Sequence, residues 1–244
     1  TALRCVIHTW GWVFRYSKCF RLTDPGIEQA KMAGEWLRER FIPKYGAFEV
    51  YLTSGFNRGF ETAGHLGLHG ALWEPHMQIH ERSWGELVGR PHCEKNERFA
   101  HVFAHRDEDP LFHQMPGGDS MASACLRARE AIRDMREWHF GKRVIMVTHG
   151  EMIWAFRIEI EALAPWQFYD MYFGPKARIP NCYIMHYSRR DPETTVVGKH
   201  LEWVREVSPT DSFEPTPWRQ VQHRLWSNQE LLEAAERTKR IVHR

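Results

Sequence analysis

Two segments of the chain place a histidine and a glycine soon after a short apolar run. Residues 5–7 lead into His8, Thr9, Trp10 and Gly11, and residues 144–147 lead into Thr148, His149 and Gly150. Short apolar runs predict strands of a buried parallel sheet, and such sheets bind ligands beyond the carboxyl ends of their strands. A histidine at each of two strand ends suggests phosphate chemistry, in which an imidazole nitrogen attacks phosphorus.

A scaffold of alternating strands and helices must hold these strand ends. The residue pattern predicts strands at 48–54, 144–147, 181–187 and 199–204, and helices at about 24–41, 60–68, 121–140 and from 152. Thr23 or Asp24 can cap the first helix, and Gly141 ends the helix that follows Ser120. The alternation predicts a three-layer α/β/α fold with a mostly parallel sheet flanked by helices.

Composition excludes several classes of protein. The 244 residues are 43% hydrophobic and 26% charged, as in an ordinary globular protein with one sizeable domain or a domain with an appendage. The 33 basic and 31 acidic residues give a net charge of +2, without a basic stripe, so a nucleic-acid partner has no compositional support. No apolar run approaches the roughly 18 residues that a membrane span requires.

Cysteine and tryptophan usage bears on the compartment and on partners. The five cysteines are an odd number without a Cys-x-x-Cys pair, which argues against a disulfide framework and predicts a reducing intracellular compartment. Because the chain begins at Thr1, we expect an upstream segment, such as a cleaved targeting segment, to be missing from the sequence. Eleven tryptophans fit either a heavy core or a large partner surface.

The C-terminal part of the sequence differs from the rest. Three prolines between residues 209 and 217 predict an extended linker. Ser227 and Glu230 form a capping-box pattern, which predicts an amphipathic helix with little core of its own. We therefore divide the chain into a domain of residues 1–207 and a linker with a helical tail at residues 208–244. The tail helix must dock on the domain or on a partner protein.

Six motifs occur in order along the chain, and together they resemble the histidine phosphatase superfamily in its phosphoglycerate mutase-like branch. They are Leu22-Thr23-x-x-Gly26, Ser54-x-x-x-Arg58-x-x-x-Thr62-Ala63, His80-Glu81-Arg82-x-Trp84-Gly85, Gly117-Gly118-Asp119-Ser120, Val147-Thr148-His149-Gly150 and Pro180-Asn181-Cys182. The resemblance covers about residues 3–207 and implies a phosphoglycerate mutase-like fold. It also implies that Arg58 binds phosphate, that Glu81 is the acidic proton donor and that His149 is the second catalytic histidine.

The sequence departs from this family at the end of the first strand. There the family has Arg-His-Gly, whose histidine accepts the phosphoryl group. When Gly11 is aligned with that glycine, Thr9 takes the position of the arginine and Trp10 that of the nucleophile. Indole has no basic lone pair, so it cannot attack phosphorus, and it is larger than imidazole. Aligning His8 with the arginine puts Thr9 on the nucleophile, whereas using His8 as the nucleophile loses the glycine.

We therefore expect no catalytic residue in the site. Thr9, Trp10, Arg58, Glu81 and His149 are predicted to be vestigial positions, with Arg58 and His149 as a remnant of the phosphate-binding site. For His149 we favour a hydrogen bond inside the vestigial pocket. For Glu81 we favour a structural ion pair.

Three His-x-x-x-His pairs could hold a metal if they lay on helices. They are His65/His69, His76/His80 and His101/His105. None encloses the glutamate of a His-Glu-x-x-His site, and no cysteine pair completes four ligands, so surface histidines are favoured. We expect neither a metal nor another cofactor.

The sequence leads to a catalytically inactive histidine phosphatase-like protein that acts as a structural, accessory or scaffold subunit of a larger assembly. Other protein subunits are the expected partners, bound through the tail helix and surface aromatic residues, and the mitochondrial matrix is the suspected location. One alternative is an active phosphomonoesterase or mutase that uses His8 or His149 as a displaced nucleophile. Another is a binding module that senses a phosphorylated ligand through Arg58 and His149.

Overall fold

The computed structural model describes residues 17–90, 97–175, 177–208 and 213–237. The first predicted strand, Thr9 and Trp10 lie outside the described residues, so their predicted roles stay predictions. The chain divides into two compact units, Thr1–Met152 and Ile153–Arg244. The predicted boundary between residues 207 and 208 also stays a prediction.

The first unit contains a parallel sheet of three described strands. They are β1 (Val50–Ser54), β2 (Trp73–His76) and β3 (Val144–Val147), in the spatial order β2-β1-β3. Thr53 of β1 lies opposite Pro75 of β2 and Val147 of β3, so the carboxyl ends of the three strands lie side by side. The predicted α/β class, with a parallel sheet flanked by helices, is confirmed.

The helices of the first unit lie before β1 or between the strands in the sequence. They are α1 (Asp24–Trp36), which continues through a π-helical turn (Leu37–Phe41) into α2 (Ile42–Tyr45), then α3 (Asn57–His65), α4 (Ala100–Glu108) and α5 (Met121–Trp138). The side chain of Thr23 caps α1 by accepting a hydrogen bond from the backbone N–H of Gly26 at 3.3 Å. Short 3-10 turns occupy Met77–Ile79 and Gly85–Leu87.

Helix α5 begins and ends where its sequence predicts. Ser120 caps it by accepting a hydrogen bond from the backbone N–H of Ser123 at 3.1 Å. Its buried face consists of small or apolar residues at helical spacing, namely Met121, Ala124, Cys125, Ala128 and Ala131. Gly141 has a φ of +80° just after the helix, a conformation that glycine adopts without a steric penalty.

The second unit differs from the predicted pattern because its described strands are antiparallel. It contains most of α6 (Gly150–Glu161), all of α7 (Pro165–Tyr172), and β4 (Ile184–Ser188), β5 (Trp203–Val207) and β6 (Arg219–Gln220) in the order β4-β5-β6. Antiparallel strands need no crossover helix, and no helix is found between β4 and β5. The alternation rule therefore does not apply to this part of the chain.

The tail helix is α8 (Asn228–Glu236), and it starts with the predicted capping box of Ser227 and Glu230. The ring of Trp226, just before this helix, lies 5.0 Å from the ring of Trp166 on α7 in an edge-to-face arrangement. None of the helices in the described ranges combines the length and the apolar character that a membrane span requires.

Candidate active site

The carboxyl ends of β1 and β3 bring together a serine and a histidine that are far apart in sequence. His149, two residues after β3, has its Nε2 atom 2.7 Å from the hydroxyl oxygen of Ser54, the last residue of β1. Both residues are buried, with exposed fractions of 8% and 0%. Since the two strands are parallel neighbours, this contact fixes the imidazole at the shared edge of the sheet.

Helix α3 begins beside this edge and carries Arg58 in its first turn. The guanidinium Nη1 of Arg58 donates hydrogen bonds to the backbone oxygen of Ser17 at 2.7 Å and to its hydroxyl at 3.2 Å. A Cβ atom on Gly59 would lie 3.0 Å from the backbone oxygen of Ser54, so glycine lets the helix approach the end of the strand. Burial lowers the pKa of Arg58, and the charge of Glu81 partly opposes this effect.

The loop of residues 77–85, called the acid loop below, carries Glu81 and is fixed from two sides. Arg127 of α5 donates a hydrogen bond from Nη1 to the backbone oxygen of His80 at 2.7 Å. The hydroxyl of Thr148, which directly precedes His149, donates to the backbone oxygen of Ile79 at 2.8 Å. The acid loop is thus fastened to the strand end that holds the imidazole.

The glycine-rich turn before α5 fixes the far end of the acid loop. The backbone N–H of Ser83 donates to the carboxylate of Asp119 at 3.0 Å, and the backbone N–H of Asp119 donates to the oxygen of Ser83 at 2.8 Å. A Cβ atom on Gly118 would lie 2.5 Å from the oxygen of Ser83, and one on Gly85 would lie 2.1 Å from the oxygen of Pro116. Both glycines are required because the two backbones touch.

The carboxyl group of Glu81 holds a proton far more tightly than an ordinary glutamate. Its pKa rises to about 7, mainly through burial and secondly through the like charge of Glu151. A hydrogen bond from the backbone N–H of Arg82 to Oε1 at 2.9 Å and the charges of Arg58 and Arg82 act in the opposite direction. A carboxyl group with a pKa near 7 can donate a proton at neutral pH.

The imidazole of His149 is neutral at the same pH. Its pKa falls to about 3, mainly through burial and further through the positive charges of Arg58, His80 and Arg127. The ring of Phe56 lies 5.4 Å from that of His149 and 5.6 Å from that of His80, which helps to enclose the site. A neutral imidazole offers one donor and one acceptor nitrogen, one of which is close to Ser54.

The structure brings Arg58, Glu81 and His149 into one electrostatic cluster. Thr9 and Trp10 lie outside the described residues, and so does any contact they make with this cluster. Within the described ranges, no group of three or more histidine, cysteine, aspartate or glutamate side chains is placed to hold a metal ion.

Sequence reasoning did not assign roles to Ser54, Arg127 or Glu151. Arg127 could have been found, because it lies one turn from Ala124 and Ala131 on the buried face of α5, where a charged residue needs a partner. Ser54 and Glu151 carry no comparable signal, since a serine at a strand end and a glutamate in the first turn of a helix are common. Together the cluster offers cationic, hydroxyl and proton-donating groups around one enclosed edge, which suits a phosphate monoester.

Comparisons with known proteins identify the family that the sequence matches. The model of the histidine phosphatase superfamily (branch 1) matches residues 13–200. The 2,3-bisphosphoglycerate-dependent phosphoglycerate mutase of Bradyrhizobium diazoefficiens is 26% identical over 158 residues, which cover 59% of this chain and 70% of the relative. The second such mutase of Gloeobacter violaceus is 28% identical over 154 residues, which cover 60% and 67% of the two chains.

Solved structures with the same fold are found at lower sequence identity. YhfR of Bacillus stearothermophilus superposes with a TM-score of 0.61 and 20% identity, covering 75% of this chain and 87% of YhfR. A mycobacterial glucosyl-3-phosphoglycerate phosphatase in complex with inorganic phosphate gives a TM-score of 0.53 and 19% identity, covering 84% and 86%. With its family motifs on the parallel sheet and a family match over most of its length, the chain belongs to the histidine phosphatase superfamily.

Proposed function

We propose that this chain binds the phosphate group of a phosphorylated ligand without forming a phosphohistidine, and that it serves as an accessory subunit of a larger assembly. The observation that carries this proposal is a cluster of a cation, a carboxyl group and an imidazole in a chain whose sequence departs from the family's nucleophile motif. Arg58, Glu81 and His149 share one electrostatic environment, whereas aligning Gly11 with the family's glycine puts Thr9 and Trp10 at the positions of its arginine and histidine.

The inactivity follows from the chemistry of the two replaced side chains. The indole N–H of Trp10 is a donor without a basic lone pair, and Thr9 provides no cation for a phosphate oxygen. The family match begins at residue 13, beyond both positions. Binding needs only the remaining groups, because Arg58 supplies positive charge and a protonated Glu81 adds no negative charge.

The accessory role is supported by apolar side chains at the surface of each unit. In the first unit Trp138 and Phe140 are 69% and 66% exposed, and in the second unit Leu231 and Leu232 of α8 are 48% and 63% exposed. Exposed apolar side chains are the kind of groups that a contact surface for another protein uses. The role predicts that the chain occurs with other subunits, and we retain the mitochondrial matrix as its proposed location.

One observation favours a second function, that of an active phosphomonoesterase. The pKa of Glu81 near 7 is what a general acid for a leaving oxygen requires, and an inactive site has no use for it in catalysis. Several relatives are named as phosphoglycerate mutases, and several proteins of the same fold are named as phosphatases. In this alternative His149 or His8 would accept the phosphoryl group.

Calorimetric titration with inorganic phosphate, combined with a turnover assay on p-nitrophenyl phosphate, tests both functions. We expect the wild-type chain to bind phosphate without releasing nitrophenol. Arg58→Gln should weaken binding roughly ten- to hundredfold, since a hydrogen bond to a charged group contributes about 1.5–3 kcal/mol. Arg133→Gln is the matched control, because Arg133 is exposed on α5 and pairs only with its helix neighbour Glu130 among the described contacts.

The outcomes separate the proposals cleanly. If the wild-type protein releases nitrophenol and forms phosphohistidine, and His149→Ala abolishes the turnover, the protein is an active enzyme. That result overturns the main proposal. If Arg58→Gln leaves the phosphate affinity unchanged, the phosphate-binding part of the main proposal is wrong. For the accessory role, Leu231→Ser/Leu232→Ser should release the chain from its native complex, and migration of the wild-type protein as a monomer in a native extract would contradict that role.

A further inference from the structure

A second charged pair lies directly behind the acid loop. Arg82 follows Glu81 in sequence, is only 1% exposed, and has its Nε atom 3.3 Å from Oε2 of Glu151. The guanidinium carbon of Arg82 lies 4.7 Å from the centre of the Trp84 ring. Glu151 lies in the first turn of α6, two residues after His149, so the pair joins the acid loop to the histidine strand.

Burying the guanidinium group of Arg82 would destabilise the folded protein if no carboxylate lay beside it. Within the part of the chain that the structure describes, none of its three guanidinium nitrogens makes a hydrogen bond, so its contact with Glu151 is ionic. A buried cation without hydrogen bonds needs an opposite charge beside it. The carboxylate of Glu151 supplies that charge, and Glu151 also acts electrostatically on a second carboxyl group, that of Glu81.

We propose that Glu151, held by Arg82, is a positioning residue that keeps the proton on Glu81 and so makes anion binding at this site dependent on pH. Two neighbouring carboxyl groups cannot both ionise at little cost, and Glu151 is the one that forms an ion pair with Arg82. Glu81 therefore stays protonated at a pH at which an exposed glutamate is ionised. Its pKa of about 7 agrees, because the charge of Glu151 is the second largest cause of that rise, after burial.

The other charged groups around Glu81 come from three elements. Arg58 of α3 and Arg127 of α5 face it with positive charge, while Arg82 belongs to the acid loop itself. Near neutral pH a protonated Glu81 provides no counter-charge for Arg58, whereas Arg127 keeps that of Asp119, whose Oδ2 lies 3.4 Å from Nη2 of Arg127, so a dianion is attracted mainly by Arg58. Above that pH the ionised Glu81 competes with the dianion for Arg58, and binding weakens.

This inference rests on the proposed function for its effect on ligands, but the titration of Glu81 can be measured without any ligand. Difference infrared spectroscopy from about pH 4 to about pH 9 follows the carboxyl C=O stretch, and Glu81→Gln assigns the band. We expect a midpoint near pH 7 in the wild-type protein. In Glu151→Gln the midpoint should fall by roughly one pH unit or more, because the like charge is lost and Arg82 is left to act on Glu81 alone.

Two further variants make the test specific. Glu151→Asp keeps the charge and should restore a midpoint close to that of the wild-type protein. Glu130→Gln, on the exposed face of α5 beside Arg133, should leave the midpoint where it is. If Glu151→Gln does not fold, Glu151→Ala removes the same charge without placing an amide in the enclosed space. An unchanged midpoint in either uncharged variant overturns the proposal.

Sulfate binding connects the titration to function, because sulfate remains a dianion across this pH range. Its affinity should decline several-fold as pH rises through the midpoint of Glu81, and Glu151→Gln should move that decline to lower pH. If sulfate does not bind at any pH while the midpoint shifts as expected, the proposed function fails and the role of Glu151 stands. If sulfate binds but its pH profile is the same in both proteins, the role of Glu151 fails.

Discussion

Replacing Glu81 by glutamine should change how the stability of the protein depends on pH. In the folded protein the pKa of Glu81 is about 7, above its ordinary value of 4.5. Between these two values the folded state holds a proton that the unfolded state has released. Stability therefore falls as pH rises from 4.5 to about 7, and below 4.5 the effect is absent because both states are protonated.

The magnitude follows from the interval between the two pKa values. At 1.36 kcal/mol per pH unit, this interval corresponds to about 3 kcal/mol. Glu81→Gln mimics the protonated carboxyl and cannot ionise, so it escapes this loss. For each protein, the change in the free energy of unfolding between about pH 4.5 and about pH 8 is measured. This change should be about 3 kcal/mol more favourable to the folded state in Glu81→Gln than in the wild-type protein.

Two buried histidines affect the absolute curves but not their difference. The pKa values of His149 and His186 both fall to about 3 on folding, mainly through burial. Both imidazoles must stay neutral in the folded state, so their contribution to stability is lost as pH falls from 6.5 towards 3. This slope opposes that of Glu81 and is common to the wild-type protein and Glu81→Gln, so it cancels when one curve is subtracted from the other.

Urea unfolding followed by tryptophan fluorescence, repeated from about pH 4.5 to about pH 8, provides the measurement. Glu86→Gln is a matched control, because Glu86 follows the acid loop but is exposed. Its curve should run parallel to that of the wild-type protein. If the curve of Glu81→Gln is also parallel, then Glu81 releases its proton as an ordinary glutamate does, and the reasoning about its burial and about Glu151 is wrong.

Three further substitutions test the packing around the site. Ser54→Ala should cost about 1–3 kcal/mol in urea unfolding, because it leaves the buried Nε2 of His149 without its partner, whereas Ser123→Ala at an exposed position should cost less. Gly118→Ala should destabilise the folded protein by about 1–3 kcal/mol or more, because its Cβ would lie 2.5 Å from the backbone oxygen of Ser83. The control is Gly64→Ala in α3, where a Cβ would have no atom within 4 Å. This variant should be neutral or more stable by up to about 1 kcal/mol. Trp226→Ala should speed amide hydrogen exchange in α8 alone, because its ring contacts Trp166 on α7, and equal exchange rates in both proteins would show that this contact does not hold the helix.

Local sequence signals were enough to predict β1 and β3 of the first unit, but they did not predict β2 (Trp73–His76) or the direction of the strands in the second unit. The strands β1 and β3 are short apolar runs, and the caps at Thr23 and Ser120 are local, so each could be recognised without knowledge of its partners. The direction of β4 and β5 depends instead on pairing across a long connection, and no local pattern distinguishes an antiparallel from a parallel partner here. The strand predicted at 199–204 lies at Trp203–Val207, because its extent also depends on its pairing with β4.

The motifs predicted which residues meet in the site, but not their electrostatic state. Arg58, Glu81 and His149 lie in segments whose order and spacing resemble one family, so their proximity could be inferred. The pKa of Glu81 depends on burial and on Glu151, which is 70 positions away in the printed sequence and belongs to none of the six motifs. Sequence reasoning therefore favoured a structural ion pair for Glu81, whereas the structure places it in surroundings that favour its protonated form.

Several contacts of the site also stabilise the fold. The residues that make them have a structural role, whereas a residue without such a role needs a functional explanation. The His149–Ser54 contact ties two strands together, and Arg127 and Asp119 fasten the acid loop, so an inactive protein would keep them for stability. Glu81 is different, because a carboxyl group with a raised pKa destabilises the folded protein at and above neutral pH. A glutamine would fit the same place without that cost. An ionisable group at this place agrees with the proposal of a ligand whose binding depends on its proton, whether or not that ligand is turned over.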